Sequence, residues 1–190
     1  PASSKKIDLP FKVSPETTVV TEHFTKNGLI DYAAAINQQM KQGVTPETNA
    51  AVYYWRALGP KPDSLDSEEF IKKLKQELGT DPFSGNNQYL IGYGDFLQQL
   101  PSNKEIETEL RTLEQYSTAL ETPWQSTDYP RLVKFLKQNE EPLKVTVQGS
   151  QQPHYFRPLV SAEGDESLIA MLLPDIQMSR EIARLLKMRT

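Results

Sequence analysis

GLIDYAAAINQQMKQGVTPETNAAVYYWRALGP, residues 28–60, is the stretch whose reading decides the fold. It predicts two helices joined by a tight turn. Asp31 suits the N-cap of the first: its carboxylate accepts from free backbone N–H groups and complements the positive helix end. Ile30 and Ala35 take the hydrophobic-staple positions around it. Ala33, Ile36 and Met40 recur at helical spacing as an inward stripe, with Gln38, Gln39 and Lys41 outward. Gly43 supplies the residue that ends the helix. Thr45, Pro46 and Glu47 mark a second start. From Ala50 to Leu58 every side chain except that of Arg56 is apolar or aromatic. A helix of that kind is one the rest of the chain packs around. Gly59-Pro60 stops it. The alanines of both helices permit close helix–helix approach. Asn49, in the first turn of the second helix, is expected to be buried and hydrogen-bonded to the backbone of a neighbouring segment, because an unpaired buried amide costs ~1–3 kcal/mol. Tyr53 and Trp55 project about 200° apart on a 3.6-residue repeat, so each anchors a different neighbour.

Working outward, the 190 residues suit one domain, read as an extended N-terminal tail over 1–20 and a helical domain over 21–190. An apolar share of 37% and a mean hydropathy of −0.56 predict a soluble protein with a modest core. The net charge of −4 argues against a nucleic-acid partner, which needs a basic face. The chain has no cysteine, which excludes disulfides, thiolate metal sites and cysteine nucleophiles. Its longest apolar run falls short of the ~20 residues of a membrane span, so no membrane insertion by this segment is expected. The chain starts at Pro1 rather than Met, which leads us to expect an upstream segment in the natural protein.

Within the tail, Ile7, Leu9 and Phe11 are the anchors, and the β-branched Thr17 to Thr21 suit a short strand. Beyond Pro60, Asp66 and Glu69 form a capping box and Leu65 and Phe70 a staple. Phe70, Ile71, Leu74 and Leu78 make the stripe of that helix. Residues 80–95 are irregular, with a short helical turn over Phe96, Leu97 and Leu100. Ser102 or Asn103 opens a helix carrying Ile106, Leu110, Leu113 and Leu120, flanked by Tyr116 and Ala119. Asp128 suits the cap of the next, with Leu132, Val133, Phe135 and Leu136 inward and an end near Asn139. Residues 142–149 fit a strand by the alternation of Leu143, Val145 and Val147, and equally a short helix. Pro153 and Pro158 hold the next stretch extended. A helical segment over 167–173 precedes a last helix with Ile176, Ile182, Ala183, Leu185 and Leu186 inward. It has no stop signal before Thr190, which leaves another protein, or the remainder of its own chain, as the partner expected at this helix.

DYAAAIN, GVTPETNAAVYYWRALGP, DYPRLVKFLKQNEEPL, HYFRPL and LLP with the closing Arg-rich helix together resemble a family of uncharacterised proteins from planctomycete bacteria. The resemblance spans most of the chain beyond Thr21 and is most specific at GVTPETNAA. It implies a largely helical protein with an export or membrane-anchoring segment upstream, hence an extracytoplasmic location, periplasmic or membrane-anchored. It also tips residues 142–149 toward helix. It carries no activity and no catalytic residue.

The residues themselves name no reaction, cofactor or metal. His23 and His154 lie in unlike contexts and no nucleophile-elbow motif is present. The acids Asp63, Asp66, Glu68 and Glu69 lack the mid-loop glycine and distal glutamate of a calcium loop, and helix-start electrostatics account for them. Gly92-Tyr93-Gly94 lacks the lysine and spacing of a phosphate loop. Asp31 and Glu47 cap helix starts too far apart to cooperate. The remaining candidates are the loop residues Tyr89, Tyr93, Trp124, His154, Tyr155 and Arg157, because aromatic faces beside arginine suit a sugar or an anion. The competing role for them is as lids over the core. The sequence thus leads us to expect a mainly α single domain, organised around a central helical hairpin with minor β at most. In function we expect a non-catalytic interaction or ligand-binding module of an exported bacterial protein. A hydrolase of cell-envelope polymers using Glu/Asp acid–base chemistry is the alternative.

Overall fold

The computed structural model describes residues 14, 16–25, 28–60, 68–85, 88–99, 106–160, 179–180 and 182–188. Seven α-helices follow one another among them: α1 Tyr32–Met40, α2 Ala50–Leu58, α3 Glu68–Leu78, α4 Tyr93–Gln98, α5 Ile106–Glu121, α6 Pro130–Gln138 and α7 Glu140–Ser150. A 3-10 turn, Pro46–Thr48, links α1 to α2, and residues 179–180 and 182–188 are also helical. Strand structure among the described residues is confined to two isolated bridges, Phe24 with Ile30 and Asn49 with His154. The protein is mainly α. The tail over 1–13, the capping box at Asp66, the start at Ser102 or Asn103 and the segment over 167–173 lie outside the described residues.

The start of α1 is built as its sequence requires: the Asp31 carboxylate accepts from the Ala34 N–H at 2.9 Å. The start of α2 differs. Thr45 and Thr48 close a capping box around the 3-10 turn, so Asn49 is the N-cap of α2 rather than a residue inside it. Residues 142–149 are helical, within α7. Pro142 falls in the first turn, where its missing N–H leaves no bond unmade.

The close approach that small residues permit is made between α2 and α7. A Cβ on Gly149 would lie 2.8 Å from the Tyr53 Cβ and 3.1 Å from the Tyr54 Cε1, so only glycine lets the helices meet there. One apolar cluster lies between α2, α3 and the extended chain: Val52, Phe70, Leu74, Leu78 and Val160, with Trp55 and Phe83 beside it. The other joins α4, α5, α6, α7 and the C-terminal helical residues through Tyr93, Phe96, Ala119, Leu132, Phe135, Leu143, Leu185 and Met188.

Two extended segments, residues 88–92 and 154–160, run against the helices without a sheet to satisfy their backbone groups. Three buried asparagines take that role. Asn49 Nδ2 donates to the Phe156 carbonyl at 2.9 Å while its Oδ1 accepts from the Phe156 N–H at 2.8 Å. Asn37 holds Leu159 in the same way, at 2.9 and 2.8 Å. Asn139, between α6 and α7, accepts from the Ile91 N–H at 2.9 Å and donates to the Ile91 carbonyl at 3.3 Å. The expectation for Asn49 is met.

Several local expectations are corrected. Thr17 to Thr21 form no strand; the Ser14 carbonyl accepts from the Thr17 and Thr18 N–H groups, both at 2.9 Å, and closes a turn. In α1, Ile36 and Met40 face solvent and Asn37 is buried, because the clamp on Leu159 sets the helix rotation. Leu113 is exposed and Ala119 buried in α5, and in the last helix Leu185 and Met188 are buried while Ala183 and Leu186 are exposed. Asp128 does not cap α6. Its carboxylate accepts from the Gln125 N–H at 2.8 Å to close the preceding turn, and Tyr129 is the N-cap.

Candidate functional site

The six loop candidates are not brought together. Tyr93 is a core residue on α4. Its ring stacks on Tyr116 at 4.4 Å and meets Phe135 edge-on at 5.0 Å. Burial pushes its phenol up to about 12, with Arg131 pulling down and Tyr116 adding to the rise. Tyr89 lies over Gly59, where an added Cβ would come within 2.4 Å of the ring. Gly59 also has a φ of 71°, so the turn that ends α2 and the seat of Tyr89 need the same glycine. Tyr93 is thus part of the core itself, and Tyr89 packs over the end of α2.

His154, Tyr155 and Arg157 share the extended segment that passes the start of α2. The His154 carbonyl accepts from Ala50 N–H at 2.8 Å and its own N–H donates to the Thr48 carbonyl at 3.2 Å. The imidazole is exposed. Tyr155 is half exposed and tilts against Tyr54 at 6.0 Å. Arg157 is half-buried between the buried Phe156 and Pro158. His23, further off, hydrogen-bonds Gln38 on α1 through its Nε2. Glu47 stays in its helix-start role; its own backbone N–H, then the Thr45 hydroxyl, hold its carboxyl below the usual range.

Trp124 borders a cavity. Pro123 follows the end of α5, Asp128 ties the loop back to Gln125, and Pro130 starts α6. The half-buried indole is thereby held against Tyr129, with ring centroids 5.7 Å apart. Beside it opens a cavity of about 640 Å³ between the last turn of α5, α6, the start of α7 and the C-terminal helical residues. Leu120, Val133, Leu136 and Met188 give it apolar walls. Glu121, Lys137, Glu140 and Lys187 supply two carboxylates and two amines. The Thr122 hydroxyl, also at the cavity, donates to the Thr118 carbonyl at 3.0 Å. Glu140 pairs with Lys144 outside the cavity at 3.4 Å. Such a lining can bury an apolar body against the indole and meet charges of either sign at its rim.

Sequence reading found Trp124 and missed the other walls, which come from four separate elements. The legible signal was an aromatic residue in a loop. Among the described residues, no three His, Asp or Glu side chains converge as a metal site. No helix among them is long and apolar enough to cross a membrane. No family model matches the chain, and no curated protein or solved structure matches it.

Proposed function

We propose that this chain is a non-catalytic, ligand-binding helical module, and that the cavity beside Trp124 takes a small amphipathic molecule. The observation that carries this reading is the cavity itself. Its size of about 640 Å³ lies in the usual range of ligand pockets, ~300–1,000 Å³, and its walls are apolar with few charged groups. The test uses anilinonaphthalene sulfonate as probe. Saturable binding with quenching of Trp124 is expected. A Val133→Trp variant, which fills the cavity, should lose it at an unchanged melting temperature. Equal binding by both proteins would refute the site. The placement in an exported protein rests on the family resemblance, and secretion of the native gene product in its own host is its test.

A second reading has one observation in its favour: Glu121 and Glu140 border the same cavity. A cell-envelope hydrolase needs two such carboxylates, one of them kept protonated by apolar surroundings. Glu140 is instead ion-paired to Lys144, and both glutamates reach solvent. Turnover of purified cell-wall glycan that disappears in Glu121→Gln and in Glu140→Gln would establish the hydrolase. No turnover by the wild-type protein would end that reading.

A further inference from the structure

We propose that α1 is a self-association surface, through which two copies of this chain pair antiparallel about a two-fold axis. Tyr32, Ile36 and Met40 are 58%, 36% and 48% exposed. Four residues apart, they form one stripe about 12 Å long at 1.5 Å per residue. Leu29 and Phe24, which precede the helix in the chain, are exposed as well, and Phe24 bridges Ile30. A single soluble copy rarely leaves a row of large apolar side chains uncovered.

The charge pattern selects a second copy as the occupant. A two-fold interface sets a patch against itself, so any charge within it meets its like. From Tyr32 to Met40 the helix carries no charged side chain. Its charges stand at the ends: Asp31 caps the N-terminus and Lys41 follows the C-terminus. Lys41 reaches solvent and lies 3.8 Å from the similarly exposed Glu77. Antiparallel pairing brings the base of each copy to the acidic end of the other and opposes the helix dipoles. Parallel pairing would join like ends. Ala33 and Ala35 flank the stripe and allow the axes to come near the lower end of the usual 8–10 Å. The stripe is smaller than the ~800 Å² per partner of a standard interface, so the pairing is weak and concentration-dependent.

Sedimentation equilibrium of the full chain from about 5 to about 500 µM, the span of weak complexes, is the test. The mass average should climb from 21.6 kDa toward twice that value. Ile36→Glu and Met40→Glu, both at exposed positions, should each weaken association by about tenfold or more, as a buried like-charge pair requires. Leu113→Glu, at an exposed leucine on α5, should leave it unchanged. A constant 21.6 kDa for the wild type overturns the proposal, even if α1 then binds lipid vesicles or a different protein. So does an equal loss in all three variants.

Discussion

Asn49 holds Phe156 by both ends of its peptide unit, donating to the carbonyl at 2.9 Å and accepting from the N–H at 2.8 Å. The same oxygen accepts from the Ala51 N–H at 3.1 Å and so caps α2. One side chain therefore starts the central helix and fixes the extended segment that crosses it. Asn49→Ala leaves these groups unmatched in a buried site and should cost about 2–4 kcal/mol, from ~1–3 per unsatisfied group. A urea midpoint within error of wild type would contradict the role.

Gly149→Ala sets two effects in opposition. Alanine favours a helix by ~1 kcal/mol over glycine. Its methyl group, however, would stand 2.8 Å from the Tyr53 Cβ, an atom fixed to the backbone of α2. Overpacking of that kind costs ~1–3 kcal/mol, so the net change should be a loss of stability. A higher melting temperature in the variant would show that α2 and α7 separate freely.

Trp55 meets Phe70 and Phe83, both with ring centroids 6.2 Å away. It is half-buried rather than enclosed. Trp55→Ala should therefore cost about 2–3 kcal/mol, below the ~3–5 of a fully buried tryptophan. Probe binding at the Trp124 cavity should be unaffected. Loss of binding at full stability would make α2 a functional surface.

Tyr93 gives the fold an alkaline limit. Its folded-state value, about 12, lies above the ordinary 10.0 because burial disfavours the phenolate. The neutral ring's contribution is complete below pH 10 and is lost as pH rises from 10 toward 12. Wild-type melting temperature should fall across that window, and Tyr93→Phe should fall less. Parallel curves would show that Tyr93 is not the group responsible.

The helices were legible because their ends carry chemistry. Asp31, Thr45 with Pro46, and Gly59 mark boundaries by local hydrogen bonding and φ alone, and local signals survive folding. What α1 does with its faces was not legible. Ile36 and Met40 have the spacing of a core stripe, yet Asn37 is the residue turned inward, toward Leu159, 122 positions away. No periodicity reports so distant a partner. Residues 142–149 stayed open between strand and helix on their own pattern for a related reason: three alternating apolar residues also fit one side of a short helix once Pro142 occupies the first turn, and the helix toward which the resemblance tipped them is the one formed. The cavity shows the same limit. Trp124 stood out as a loop aromatic, but Lys137, Glu140 and Lys187 join it only through the packing of α6, α7 and the C-terminal helical residues.

The central claim is that asparagine side chains replace sheet partners for the extended chain around α2. Amide hydrogen exchange tests it most directly. The Phe156, Leu159 and Ile91 amides lie outside helices, and each donates to an asparagine oxygen at 2.8–2.9 Å. The account predicts protection at all three comparable to the helix cores. It further predicts that Asn49→Ala strips it from Phe156 while Ile91 keeps it. Exchange of the three wild-type amides at the rate of exposed loops would contradict the account.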